Sequence, residues 1–266
     1  MINGTLYRRE MRGSVRLIVI FLAIMTMYVA IIMNMYQPKM MDMLKGFSSM
    51  MPQIMAAVGM IAGANTLMGF MISYLYGFIL LAFPMIFCMI RANGLVAKYV
   101  EKGSMVTLMC APVKRRVIAM TQMAVMISGI VILIGYATVL ELVIAKIKFP
   151  KEEMGLNLIR VNFALICLQL LIGSICFFAS CVCSETKYSI GVGAGIPFLM
   201  FILQMLASSG DKAKNIKYLT FFTLFDAKGM ASGDGSAWVC TLIMLVSSVV
   251  IFGGAIMTFC RKDLHI

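Results

Sequence analysis

Charge is what this sequence is short of. Only 13% of its 266 residues are Asp, Glu, Lys or Arg, against 62% hydrophobic, whereas an ordinary soluble domain carries about 25% charge. So few charges cannot cover a water-facing surface, and the composition predicts an all-α integral membrane protein. Histidine is nearly absent too. The single His265 cannot supply a Ser-His-Asp triad or a His-based metal site within one chain. No G-x-x-x-x-G-K-[ST] segment occurs, which excludes P-loop handling of ATP phosphates by this chain. Ionisable residues are also missing from the centres of the hydrophobic stretches, where proton relays and ion-coupled transporters place them. Glu141, near the outer end of the third stretch, and the neutral Gln169 and Gln204 come nearest.

What is there is apolar length. A bilayer core needs about 20 mostly apolar residues per helix. A centred Lys, Arg or Asp costs about 2.5 to 3.5 kcal/mol and each Leu, Ile or Val returns about 0.3 to 0.6 kcal/mol, so one stray charge cancels about six aliphatic residues. Six windows survive that test: Leu17–Met35, Leu67–Ile90, Val117–Leu140, Val161–Val182, Ile190–Leu206 and Ala237–Phe259. They predict six transmembrane helices in a multi-pass protein of the cell (plasma) membrane. The first window is longer than a signal-peptide core and no small-x-small site follows it, so it reads as a retained span.

With both termini placed in the cytoplasm, thirteen of the 23 Lys and Arg fall inside and ten outside. Those that abut the spans decide the orientation, because distant loop charges contribute little. Arg8, Arg9, Arg12 and Arg16 lie just before the first span, and Lys114, Arg115 and Arg116 just before the third. The net charge of +12 is thus topological, with anionic lipid headgroups as a second reading and no nucleic acid among the expected partners. Five of the eight cysteines (Cys88, Cys110, Cys181, Cys183, Cys260) fall at or inside the cytoplasmic boundary, so no structural disulfide is expected. Cys181-x-Cys183 lacks the companions of a zinc site.

The organisation follows the charges. Residues 1–16 carry Leu6, Met11 and Val15 among Arg8, Arg9, Glu10, Arg12 and Arg16, and read as an amphipathic interfacial helix that precedes the first span. From Gln53 to Ile90 the chain has no charge for 38 residues, too many for one straight helix across a bilayer at about 1.5 Å per residue. A break at Asn65-Thr66 leaves an outer-face helix near 53–64, and Pro84 is placed to kink the second span. Residues 91–116 form a cytoplasmic loop, 117–182 the third and fourth spans, 190–259 the fifth and sixth, and 260–266 a cytoplasmic tail. Lys146 to Arg160 reads as a solvated outer turn, Ser184 to Lys187 as a tight inner hairpin, and L-T-F-F-T-L-F (219–225) as a half-buried outer element. Gly191-x-Gly193-x-Gly195 opens a span with no strand before it, so the small-xxx-small spacing of Gly191 and Gly195 predicts close helix packing. Three readings of the 28 Met stay open: substitutes for Leu in lipid, an adaptable apolar surface, and a thioether path for a soft metal such as Cu(I).

The loop V-A-K-Y-V-E-K-G-S-M-V-T-L-M-C-A-P-V-K-R-R (96–116), which separates two spans, carries a resemblance. It resembles the cytoplasmic loop of permease subunits of ABC-2 type ATP-binding-cassette exporters, which reads E-x-x-x-G-T-x-x-x-L-L-x-x-P-x-x-R. Glu101, Gly103, Leu108, Pro112 and Arg115 stand at comparable places, with Glu101 two residues before Gly103 and Ser104 where Thr is usual. The tail G-A-I-M-T-F-C-R-K-D-L-H-I is similar to the family's closing F-x-x-[KR]-D-L, and K-Y-L-T-F-F-T-L-F-D to its outer segment before the sixth span.

The resemblance implies a permease without catalysis or cofactor of its own. A second copy and two ABC ATPase subunits are the implied partners, with ATP and magnesium bound in the ATPases. It implies a coupling interface made of Lys98, Glu101, Lys102, Gly103, Pro112 and Arg115 together with Arg8, Arg9 and Glu10 of the N-terminal segment. A rigid coupling helix over 96–109, ended by Pro112, would carry displacement to the spans. The implied cargo is hydrophobic or amphipathic, peptide first, with drug or lipid as further classes. A non-transporting sensor or immunity subunit is the alternative, and an ATP-independent transporter the third.

Overall fold

A computed structural model describes residues 2–36, 46, 50–51, 66–110, 113–150, 154–209 and 219–262. The expected outer-face helix near 53–64, Pro112 and His265 lie outside the described residues. Every regular element among the described residues is helical: α1 Gly4–Met35, α2 Leu67–Tyr74, a π-helical turn Leu75–Ile79, α3 Leu80–Leu95, α4 Ala97–Glu101, α5 Ser104–Cys110, α6 Arg115–Lys148, α7 Gly155–Val182, α8 Thr186–Ser209, a 3₁₀ turn Phe221–Leu224, α9 Ala227–Ser232 and α10 Gly235–Arg261. Six helical segments are long and apolar enough to cross a membrane: α1, α2 through α4 taken together, α6, α7, α8 and α10.

Packing follows the 3.6-residue period. On α1 the buried positions are Glu10, Ser14, Ile18, Phe21, Met25, Val29, Ile32 and Met33, a continuous stripe three or four residues apart. On α10 they are Ala237, Thr241, Met244, Ser248, Phe252, Ala255 and Phe259. The opposite faces are exposed yet apolar, with Val19, Ile20, Met27 and Ile31 on α1 and Val239, Leu242, Val246 and Val250 on α10. Exposed faces of that kind suit lipid, not water. The central helix is α7, which packs against α10, α3, α8 and α6, while α1 lies along α6.

Several sequence expectations are corrected. No break in helical structure separates an interfacial segment from the first span: α1 runs for 32 residues, about 48 Å at 1.5 Å per residue. Asn3 caps it by accepting from the Thr5 and Leu6 amides, and the buried stripe begins at Glu10, so one helical phase persists past Arg16. Lys146, Lys148 and Arg160 belong to helices and not to a solvated turn, because α6 runs past its apolar window and α7 starts before its own. Pro84 offers no N–H to the Leu80 carbonyl, and the irregularity expected there falls in the preceding turn, which widens to a π-helix at Leu75–Ile79. Of the three glycines in Gly191-x-Gly193-x-Gly195, Gly193 makes the close approach: a Cβ there would stand 3.1 Å from the Ala179 Cβ and 3.3 Å from the Cys176 carbonyl oxygen, whereas Gly191 and Gly195 face open space.

Candidate functional site

Hydrogen bonds gather distant segments at the end of the bundle that carries Asn3. The Asn3 amide donates to Thr121 Oγ1 of α6 at 3.0 Å, and Arg115 Nη1 donates to the Lys262 carbonyl at 3.2 Å. Both described chain ends therefore lie at the same end, together with the 96–110 segment.

That segment is two short helices rather than one. α4 ends at Glu101, Gly103 adopts φ +67°, and α5 starts at Ser104. A left-handed residue breaks α-helical hydrogen bonding and is costly for any residue with a Cβ, so the expected single coupling helix over 96–109 becomes a helix-turn-helix. Ser104 Oγ ties the turn back to the Tyr99 carbonyl at 3.3 Å.

Three contacts lock this unit to the bundle. Glu10 of α1, 5% exposed, faces Arg91 of α3, 11% exposed. Arg91 Nη2 donates to Glu10 Oε2 at 3.1 Å and to the Glu10 carbonyl at 2.9 Å, while the Tyr99 hydroxyl of α4 donates to Glu10 Oε1 at 2.5 Å. Glu10 thus joins α1, α3 and α4. The Ala97 amide donates to Ser180 Oγ of α7 at 3.0 Å. Glu101 Oε2 accepts from the Thr186 amide at 2.9 Å. That amide is one of the unsatisfied donors at the start of α8, and a carboxylate there also meets the positive end of the helix dipole.

The residues implied by the resemblance therefore divide. Arg8, Arg9, Lys98, Lys102 and Gly103 are exposed and free to meet a partner. Arg9 lines a cleft of about 400 Å³ with Leu6, Tyr99, Ser104 and Leu108. Glu10 points inward as a structural clasp, Glu101 is engaged in capping α8, and Arg115 in holding the Lys262 carbonyl. Arg91 and Tyr99 complete the clasp and were not among the implied residues. The available signal was Arg91 as the first charge after Lys45, 45 residues without one.

A second polar cluster lies deep between the helices. Glu141 of α6 is 0% exposed. Its Oε2 accepts from the Tyr76 hydroxyl at 2.7 Å and from Asn162 Nδ2 at 2.8 Å, and Asn162 Nδ2 also reaches the Tyr76 oxygen at 2.7 Å. Tyr76 sits in the π-helical turn, and such turns re-aim side chains out of α register. Among the described residues, Glu141 Oε1 and Asn162 Oδ1 are buried without a hydrogen-bond partner. The structure adds to the sequence reading, which placed Glu141 near the outer end of the third stretch, that this acid is fully buried and partnered. The signal was Glu141 itself, an acid with Val139, Leu140, Leu142, Val143 and Ile144 around it, since an acid in an apolar run must find partners. Tyr76 also lines a cavity of about 200 Å³ with Phe201, Gln204, Phe222 and Asp226.

No protein-family model matches this chain, and no curated protein matches its sequence.

Proposed function

We propose that this chain is the membrane-spanning permease subunit of an ATP-driven exporter of the ABC-2 type. A second copy would complete the pathway, separate ABC ATPase subunits would bind ATP and magnesium, and the cargo would be hydrophobic or amphipathic, a peptide in the first instance. The reading rests on the loop resemblance, and one observation supports it most. The 96–110 unit is fastened to α1 and α3 through Glu10, Arg91 and Tyr99, and to α8 through Glu101, while Arg8, Arg9, Lys98 and Lys102 are exposed. A basic platform fastened to several helices at once is suited to passing a push from an ATPase into the bundle. Both termini and this platform would then face the cytoplasm.

The test is reconstitution with an ATPase subunit encoded beside it. Co-purification and cargo-stimulated ATP hydrolysis are expected. Lys98→Glu with Lys102→Glu, which leaves the Glu101 cap on α8 in place, should cut cargo stimulation at least tenfold while insertion and basal folding persist. A stable chain that recruits no ATPase, or a double variant that couples as the parent does, overturns the reading.

The Glu141 cluster favours a second reading, an ATP-independent transporter driven by a proton or cation, because such proteins place a partnered carboxylate between spans. Cargo accumulation in vesicles under an imposed proton gradient, without any ATPase, and its loss in Glu141→Gln, would establish it over the first.

A further inference from the structure

Four cations converge where the start of α6 meets the end of α10, and they are used differently. Arg115 Nη1 donates to the Lys262 carbonyl at 3.2 Å. Lys262 Nζ donates to the Val182 carbonyl at 2.7 Å and the Cys181 carbonyl at 3.3 Å at the end of α7. These two hold helix ends together and satisfy carbonyls that a helix terminus leaves open. Arg116 and Arg261 do neither. Both are exposed, make no hydrogen bond or ion pair among the described residues, and stand at the rim of a cleft of about 450 Å³ whose walls are Met120, Gly253, Ile256 and Met257. Among the described residues no carboxylate lines it.

The cleft continues into apolar surface. On α10 the exposed residues Val246, Val249, Val250 and Met257 run down to it, and a Cβ at Gly253 would meet nothing within 4 Å, so the floor is open. Arg116 directly precedes the apolar run of α6 and Arg261 directly follows that of α10. The two guanidiniums therefore stand at the depth where hydrocarbon gives way to headgroups, with an apolar trough beneath them.

We propose that this cleft binds one anionic phospholipid, its phosphate held between Arg116 and Arg261 and its acyl chains laid along α10. Guanidinium and phosphate match in charge and in bidentate geometry, and the trough supplies the apolar area that a free phosphate would not use. A second copy of the chain is a poorer occupant, since a two-fold contact here would bring four guanidiniums together with no carboxylate among the described lining residues. The inference does not depend on the proposed transport function.

The test uses the delipidated full chain in neutral detergent, with phosphatidylglycerol or phosphatidylcholine added and retention read by native mass spectrometry. One phosphatidylglycerol per chain is expected to survive, with phosphatidylcholine lost. At about fivefold per basic residue, Arg116→Gln with Arg261→Gln should weaken phosphatidylglycerol binding about twenty-five-fold. Gly253→Leu keeps both charges and fills the floor, and should also release the lipid; if charge alone acted, it would have no effect. Excess glycerol phosphate should not displace the lipid; displacement would identify a free-phosphate site instead. Equal retention of the two lipids, retention unchanged in the variants, or cross-linking between copies through Cys260, which lines the cleft, overturns the proposal.

Discussion

Removing one member of the Glu10–Arg91 pair should cost far more than half of what removing both costs. The two side chains are 5% and 11% exposed and meet at 3.1 Å, so either one left alone is a poorly solvated charge. Breaking such a pair from one side costs about 3 to 5 kcal/mol. Glu10→Leu should fall near the lower end, about 3 kcal/mol, because the residue 10 carbonyl continues to accept from Arg91 at 2.9 Å. Arg91→Leu leaves the carboxylate with only the Tyr99 hydroxyl among the described residues and should cost at least as much. In the double variant no charge is stranded, and the remaining loss is an unsatisfied Tyr99 hydroxyl plus imperfect packing, about 3 to 4 kcal/mol in all. The coupling energy is then about 2 to 3 kcal/mol. Equilibrium unfolding of the four proteins in mixed micelles with increasing dodecyl sulfate, read by pulse proteolysis, gives each term. Hydrogen exchange should quicken across 96–110 in Glu10→Leu and remain slow in the central part of α7, since the clasp fastens the first region only. Additive single losses, agreeing within about 0.5 kcal/mol, would mean that water screens the pair as at an ordinary surface, and the clasp would be refuted.

Two further variants probe the interior. Asn162→Leu removes the amide that donates to Glu141 and Tyr76 and should lower stability by about 1 to 3 kcal/mol in the same assay, with Asn162→Gln no full replacement because its longer side chain must repack; a change below about 0.5 kcal/mol would show that the cluster is hydrated. Gly193→Leu forces side-chain atoms against the Cys176 backbone and Ala179 Cβ and should destabilise by at least about 1 to 3 kcal/mol, whereas Gly195→Leu, facing open space, should be near neutral; equal effects would remove the packing assignment.

The sequence by itself determined the six apolar helices. Hydropathy summed over about 20 residues is a local property, and in lipid the backbone has no alternative to closing its own hydrogen bonds. The ends of those helices were less legible. Glu141 and Arg160 read as span or loop boundaries because window arithmetic stops at a charge, but α6 and α7 continue through them, since each polar side chain has somewhere to go: Glu141 to Tyr76 and Asn162, Arg160 toward the Gly233 turn. The break at Gly103 was written in the chain as a glycine, but only its φ of +67° shows that it divides the loop into two helices.

Tertiary structure alone decided which side chains meet. Glu10 finds residues 81 and 89 positions away, and Glu101 finds one 85 positions away. Those pairings depend on how each helix is rotated about its axis. On α1 and α10 the buried stripe leaves a readable period, although lipid-facing residues as apolar as the core blur it. On α7, whose exposed residues Leu156, Ile159, Phe163 and Phe178 are as apolar as its buried ones, no period exists to read. The sequence thus set how many helices there are and roughly where they run, and packing set which of their few polar groups clasp the bundle and which are left at its surface for a partner or a lipid.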